Sequence, residues 1–345
     1  MTNGEQPAIT SVSQPSPFAP AIDLAQPRLG TRVVFATDDF FADKSRLIDP
    51  ADPVFIPGKY DDHGKWMDGW ESRRKRIPGH DFCIVRIGVP GVIRGVDIDT
   101  RHFTGNFAPA VSLEACVCDS DVPADDMQWQ PLLAEQTLQG DRQHFFPIDS
   151  DTPFTHIRLN IFPDGGVARL RLYGDIHPNW ATLAKSAPVD LFAIENGGRA
   201  LACNDEHYGT MRNLNAPGRG VNMGDGWETA RRRVPGNDWV VLALGTLGTI
   251  ERIEVDTAHF KGNYPDRAMF QAARLDTVAD DTDWSAISAS WPELMPEQKL
   301  SADAQHLFAD EVNALGPVTH VRMNIYPDGG VSRVRLFGTP VLQGK

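Results

Sequence analysis

A short segment near residue 70 combines acidic and basic side chains that could bind and transform a small polar molecule. It reads Asp68-Gly-Trp-Glu-Ser-Arg-Arg-Lys-Arg76. An arginine can hold a substrate carboxylate through two parallel hydrogen bonds, while a carboxylate can accept from an amide-like N–H edge or act as general base. The alternative is a structural ion pair at the surface. The segment therefore supplies four candidate site residues: Asp68, Glu71, Arg73 and Arg74.

Two further stretches carry polar side chains at spacings that suit a binding site. Alternation along the predicted strand around Ile157 puts Arg158 and Asn160 on one face. The segment 99–107 follows another predicted strand and should form a loop that carries His102 and Asn106. Structural roles are the alternative for both stretches, because an Arg-x-Asn pair can brace a sheet edge and a loop histidine is often only solvated.

The motifs of several large enzyme classes are missing from the sequence. We find no HExxH or Cys/His ligand pattern, no Gly-x-Ser-x-Gly, no phosphate-binding GxxxxGK[ST] and no dinucleotide fingerprint. Zinc proteases, triad hydrolases, nucleotide hydrolases and Rossmann oxidoreductases are therefore disfavoured. The sequence requires no cofactor and predicts no metal ligands, although it leaves a divalent metal ion open.

The elements that must position these residues occur twice. Segment 68–82 returns as 225–239 with nine of fifteen positions identical, and segment 156–174 returns as 320–338 with thirteen of nineteen identical. Such matches indicate an internal duplication. We predict a disordered, Pro- and Ser-rich leader at residues 1–28, a first repeat at 29–176, a linker at 177–189 and a second repeat at 190–340.

Each repeat has the pattern of an antiparallel β-sandwich. Short apolar or alternating runs such as Arg32–Ala36, Cys83–Ile87 and Ile157–Ile161 are separated by Pro-Gly and Pro-Asp-Gly-Gly turn signals. This density of turns favours an all-β fold over βαβ units. A short helix is predicted only in the linker, around Trp180.

If only one copy is catalytic, differences between the copies favour the first repeat. The recurrence of His102, His144 and His156 as His259, His306 and His320 permits two equivalent sites, or a structural role for each pair, as the alternative. If Asp39 matches Asp205 at an offset of 166, and Asp68 matches Asp225 at 157, the first repeat carries nine extra residues around 59–65. Under this pairing the first repeat also keeps ionisable groups that the second replaces, namely Asp38 by Asn204, Arg73 by Ala230 and His80 by Asn237.

Bulk properties exclude some partners. A formal net charge of -13 opposes binding to nucleic acid or an anionic membrane surface. No apolar run is long enough for a membrane span, and the first thirty residues lack a secretory signal pattern. Four cysteines without a CxxC pair make disulfides improbable. We therefore expect a cytoplasmic protein that binds a small molecule.

Four strings in order resemble the allantoicase family: Phe35–Phe41, Gly64–Arg76, Asp99–Asn106 and the repeated Asn-Ile-(Phe/Tyr)-Pro-Asp-Gly-Gly. The resemblance runs from Leu29 to Gly338. It implies two jelly-roll β-sandwiches of the galactose-binding-like kind, and hydrolysis of allantoate to ureidoglycolate and urea in purine degradation. A homo-oligomer would be consistent with the family.

The implied reaction assigns tasks to the candidate residues. Arg74 or Arg158 would hold the carboxylate of allantoate, acceptors such as Asp68, Asn106 or Asn160 would orient ureido N–H groups, and Glu71 with His102 would transfer protons. Two alternatives stay open at this point. The chain could be a non-catalytic tandem lectin-like binder of carbohydrate or another small ligand, or an amidinohydrolase for a different ureido or guanidino acid.

Overall fold

The computed structural model describes residues 7–18, 21–279 and 281–342. Within them the chain consists mainly of β-strands, and it divides into two compact units, Met1–His177 and Pro178–Lys345. Each unit contains one copy of the duplicated sequence. The predicted all-β fold with two tandem sandwiches is confirmed.

The first unit is built from fourteen described strands, with two short 3-10 helices at Pro27–Leu29 and Lys44–Ile48. The strands are β1 (Ile9–Thr10), β2 (Ile22–Asp23), β3 (Arg32–Ala36), β4 (Val54–Phe55), β5 (Tyr60–Asp61), β6 (Gly64–Lys65), β7 (Trp70–Glu71), β8 (Asp81–Asp99), β9 (Ala110–Cys116), β10 (Gln130–Thr137), β11 (Gln143–Pro147), β12 (Pro153–Phe162), β13 (Gly166–Val167) and β14 (Arg169–Ile176).

The long strand β8 belongs to both sheets of the sandwich. Its first part pairs with β3 and β12, and its last part pairs with β11 and β14. The first sheet continues from β12 through β9 to β10, and the second continues from β14 to β2. All these pairings are antiparallel. Sequence alternation explains the core, because Ile157, Leu159 and Ile161 of β12 are completely buried.

The second unit contains ten described strands, two short helices and four 3-10 helices, at Ala184–Ser186, Ile194–Asn196, Met211–Asn213 and Met223–Asp225. The helices are α1 (Trp180–Leu183) and α2 (Trp284–Ser288). The strands are β15 (Val189–Asp190), β16 (Arg199–Cys203), β17 (Trp227–Glu228), β18 (Asp238–Asp256), β19 (Arg267–Ala273), β20 (Glu293–Lys299), β21 (Gln305–Phe308), β22 (Val318–Tyr326), β23 (Gly330–Val331) and β24 (Arg333–Pro340).

The second unit repeats the topology of the first. Here β18 is the shared strand, pairing with β16 and β22 in one half and with β21 and β24 in the other. Side chains from both halves of β18, including Leu242 and Val255, meet in one buried apolar core. The burial of this core stabilises the two sheets against each other.

The N-terminal segment differs from the disordered leader expected at residues 1–28. In its described part, β1 pairs with β4, β2 pairs with β14, and Leu24 is completely buried. Composition rich in Pro and Ser suggested disorder, but pairing with the body of the unit supplies partners for the backbone. Residues 1–6 and 19–20 of this prediction lie outside the described residues.

Candidate active site

Glu71 is positioned by a small two-stranded sheet at one end of the first sandwich. Strand β7 pairs with β13, so that Glu71 lies opposite Gly166. The neighbouring Trp70 is completely buried, and its indole N–H donates to the backbone carbonyl of Asp38 at 2.8 Å. Gly166 is required here, because a Cβ atom at that position would lie 2.1 Å from the ring of Phe103. The scaffold therefore holds Glu71 in place from both sides.

Asn106 meets Glu71 as a direct partner. The Asn106 side-chain amide donates to Glu71 Oε1 at 2.8 Å, and its backbone carbonyl accepts from the N–H of Gly166 at 2.7 Å. Burial raises the pKa of the Glu71 carboxyl above its ordinary value, while the Asn106 hydrogen bond and the charge of Lys65 act in the opposite direction. Glu71 is only 9% exposed. A buried carboxyl with a raised pKa is suited to proton transfer.

The three basic residues that follow Glu71 in the chain, Arg73 to Lys75, differ in their partners. Arg73 is bound to the carboxylate of Asp38, with Nε at 2.7 Å from Oδ2. Lys75 forms an ion pair with Asp81 at 2.6 Å. Arg74 is exposed, and within the described parts of the chain its guanidinium has no hydrogen bond or ion pair. Arg74 is therefore a cation, three residues from Glu71 along the chain, whose guanidinium is available to an incoming anion.

Arg158 and Asn160 belong to a second polar cluster, on the outer face of the first sheet. Both donate to the carboxylate of Glu114, Arg158 from Nε at 2.7 Å and Asn160 from its amide at 2.9 Å. The Arg158 guanidinium also lies 4.8 Å from the centre of the Trp129 ring, and His80 Nε2 lies 3.3 Å from Asn160 Oδ1. Among the hydrogen bonds of the described residues, none joins this cluster to the Glu71–Asn106 pair.

Asp68 and His102 are engaged elsewhere. Asp68 accepts from Arg169 at 2.8 Å and from the backbone N–H of Val54 at 2.9 Å. His102 has a left-handed backbone with φ 69, and its Nε2 lies 3.1 Å from the carbonyl oxygen of Pro53. Among the described contacts neither residue is hydrogen-bonded to Glu71. Their predicted roles in binding and catalysis stay predictions, but the structure gives both residues partners within the scaffold.

Two residues near the candidate sites were not recognised in the sequence. Glu114 lies opposite Arg158 on β9, and only the register between β9 and β12 identifies it. Lys65 lies on the hairpin of β5 and β6, inside the insertion of the first repeat. Its positive charge lowers the pKa of Glu71. The insertion was the only sequence signal for Lys65.

The structure also corrects the pairing of the two repeats before residue 68. The indole N–H groups of Trp70 and Trp227 donate to the backbone carbonyls of Asp38 and Asp205, respectively, both at 2.8 Å. Asp38 therefore corresponds to Asp205, at an offset of 205 − 38 = 167, and the insertion is 167 − 157 = 10 residues long. The inferred replacement of Asp38 by Asn204 was wrong, because two adjacent acidic residues allowed a shift by one position.

The described residues lack a cluster of metal-ligating side chains, a membrane-spanning helix and disulfides. They contain no group of three or more His, Cys, Asp and Glu side chains arranged to hold a metal ion. They also contain no helix with the length and apolar character needed to cross a membrane. The cysteines of the described chain are all free thiols.

Comparison with known proteins decides the family. A family model described as the allantoicase repeat matches this chain twice, over residues 22–177 and 189–341. The chain belongs to the allantoicase family. Its curated allantoicase relatives include "Probable allantoicase 2" of Burkholderia pseudomallei, which is 56% identical over 329 residues covering 93% of this chain and 97% of the relative.

Other allantoicases agree over similar lengths. "Probable allantoicase" of Photobacterium profundum is 57% identical, covering 93% of this chain and 97% of the relative. The crystal structure of allantoicase from Saccharomyces cerevisiae superposes with a TM-score of 0.75 at 36% identity, covering 92% of this chain and 93% of that one. The predictions of an allantoicase-type fold and of a hydrolase of this family are confirmed.

Proposed function

We propose that the chain hydrolyses allantoate to ureidoglycolate and urea at the centre formed by Glu71, Asn106 and Arg74. The observation that carries this proposal is the Glu71–Asn106 pair, a buried carboxyl with a raised pKa. The same segment carries Arg74, whose guanidinium has no hydrogen bond or ion pair among the described residues. Allantoate offers complementary groups, since it has one carboxylate and two ureido arms on a single tetrahedral carbon. The membership of the chain in the allantoicase family supports the choice of substrate.

Each residue has a distinct task in this proposal. Arg74 binds the substrate carboxylate through paired hydrogen bonds, which fixes the orientation of the tetrahedral carbon. Asn106 holds Glu71 and offers its amide oxygen to a ureido N–H group. Protonated Glu71 delivers its proton to the nitrogen of the departing ureido arm.

The proposed reaction balances with one water molecule. The C–N bond breaks and the protonated arm leaves as urea, while the lone pair of the retained ureido nitrogen stabilises the carbon as an imine-like cation. Glu71, now a carboxylate, takes a proton from water as its oxygen bonds to that carbon. Ureidoglycolate forms, and Glu71 is protonated again for the next cycle.

Replacing Glu71 with glutamine tests this role directly. We expect Glu71→Gln to lower the rate of urea release by about 100-fold or more, because the amide can neither donate the proton nor accept it again. Glu135→Gln is the matched control, because Glu135 is an exposed glutamate of β10. Melting temperatures of both variants would establish that the fold is intact. Near-normal urea release by Glu71→Gln would refute the assignment.

The same assay tests the remaining expectations. Urea release from allantoate, measured with and without a chelator, decides whether a divalent metal is needed; we propose that none is required. Absence of urea under both conditions would favour a non-catalytic binder or an amidinohydrolase for another substrate. The cytoplasmic location and a homo-oligomeric state stay predictions, to be tested by fractionation and by light scattering.

A further inference from the structure

The second unit contains a copy of the candidate centre. Glu228 on β17 accepts a hydrogen bond from the side-chain amide of Asn263, just as Glu71 accepts from Asn106. Strand β17 pairs with β23 and places Glu228 opposite Gly330. The sandwich scaffold thus presents the same carboxyl–amide pair at the equivalent end of its second copy.

The cation beside the pair is also repeated. Arg231, at the position equivalent to Arg74, is exposed and has no hydrogen bond or ion pair with any other described residue. Its neighbour Arg232 is instead occupied by an ion pair with Asp238, as Lys75 is by Asp81. The second unit therefore leaves the corresponding guanidinium available to an anion.

These groups line a cavity in the second unit. Its volume is about 520 Å³, and its walls include Tyr208, Glu228, Arg231, Asn263 and Asp328. A cavity of this size accommodates a small molecule. Because a carboxylate, an amide, a guanidinium and a phenol converge on it, it favours a ligand that combines a carboxylate with hydrogen-bonding amide-like groups.

Tyr208 is one of the wall residues that distinguish this cavity from the first centre. Tyr208 corresponds to Phe41, because the backbone N–H of each donates to the carbonyl of the site glutamate, at 3.1 Å for Tyr208 and 3.3 Å for Phe41. The tyrosine hydroxyl is a donor and acceptor that phenylalanine lacks. The two centres therefore share the carboxyl–amide pair and differ in a polar group beside it.

We propose that the second unit holds a second ligand site, for small carboxylates that carry ureido groups. Arg231 binds the carboxylate, Asn263 and Glu228 contact the ureido groups, and the hydroxyl of Tyr208 adds a hydrogen bond that the first centre does not offer. The choice of ligand class rests on the proposed function. The presence of the second site rests on the cavity and its residues.

Calorimetric titration with allantoate separates the two centres. The variant Glu71→Gln is used to suppress turnover at the first centre, and we expect it to bind two equivalents per chain. Adding Arg231→Met should abolish one of these, whereas adding Arg76→Met should leave two, because Arg76 is an exposed arginine of the first unit outside the cavity. Saturation at one equivalent, unchanged by Arg231→Met, would overturn the second site.

A second measurement identifies the role of Tyr208. Adding Tyr208→Phe to the Glu71→Gln variant should weaken one of the two binding events by about 5-fold, as expected for the loss of one hydrogen bond. A further substitution, Phe41→Tyr, places the hydroxyl at the equivalent position of the first unit. It should not restore the affinity of the second site, because the change lies in the other unit. Two unchanged affinities in the Tyr208→Phe variant would refute the contact.

Urea release tests the proposed hydrolysis, and binding stoichiometry tests the second site, so the two proposals can fail separately. If the wild-type chain releases no urea from allantoate but two equivalents bind, the proposed hydrolysis fails and the second site stands. If urea is released but only one equivalent binds, the hydrolysis stands and the second site fails.

Discussion

Replacing Asp97 with asparagine should stabilise the first unit at alkaline pH and have less effect in acid. Asp97 lies on β8 and is 2% exposed, and its Oδ1 has no hydrogen-bond partner in the described structure. Its Oδ2 accepts from the side-chain amide of Gln143 at 2.6 Å. Burial, with a further contribution from the charge of Asp99, raises the pKa of Asp97 from 3.8 to about 7. The folded unit therefore favours the protonated form.

The sign and size of the effect follow from this shift. A carboxyl whose pKa is raised on folding contributes its full stability below its unfolded pKa, and this contribution is lost as the pH rises towards the folded pKa. The loss is at most about 1.4 kcal/mol per pH unit, and it sums to about 3 kcal/mol between pH 5 and pH 8. The side chain introduced by Asp97→Asn does not titrate, but its amide oxygen can still accept the hydrogen bond from Gln143.

Calorimetric melting between pH 5 and pH 8 measures this difference. The melting temperature of Asp97→Asn, relative to the wild type, should rise by roughly 6–12 °C over that range. Glu254→Gln is the matched control, because Glu254 is the equivalent residue of the second unit and is only partly buried. It should show no comparable change. Parallel pH curves for Asp97→Asn and the wild type would show that Asp97 is ionised in the folded protein and would refute the reasoning.

Three further substitutions test the architecture around the candidate centre. Arg169→Met should destabilise the first unit by about 3–5 kcal/mol in urea denaturation, because it leaves Asp68 without its guanidinium partner. Gly166→Ala should cost about 1–3 kcal/mol and reduce urea release, since the added Cβ collides with an aromatic ring beneath β13. Lys65→Met should move the part of the pH–rate profile that reports the ionisation of Glu71 to higher pH, because Lys65 lowers the pKa of that carboxyl. An unchanged pH–rate profile would exclude the interaction.

Sequence periodicity was sufficient to predict the sandwiches. Apolar residues alternate along β12 and become its buried face, and the repeated motifs identify Glu71 and Asn106 as residues that both copies keep. Their contact could not be predicted, because they lie 35 positions apart. They meet through Gly166, which lies opposite Glu71 and donates its N–H to the carbonyl of Asn106.

The errors have equally local causes. Asp38 and Asp39 are adjacent and chemically alike, so the sequence could not decide which of them corresponds to Asp205, whereas the hydrogen bond from Trp70 does. Glu114 was missed because its importance depends on strand register, which places it opposite Arg158.

Duplication alone does not separate scaffold from site, since both kinds of residue recur. The ion pair between Asp68 and Arg169 recurs in the second unit, but its groups already bond to each other. The guanidiniums of Arg74 and Arg231 recur as well, and no described group satisfies them. A group whose hydrogen-bonding capacity is already used has little left for a ligand. Arginines without a described protein partner, in the same segments as the buried Glu71 and the partly buried Glu228, are therefore the better guide to binding. On this criterion both units carry the elements of a site, whereas the carboxylate of Asp68 is already occupied by Arg169 and its binding role stays a prediction.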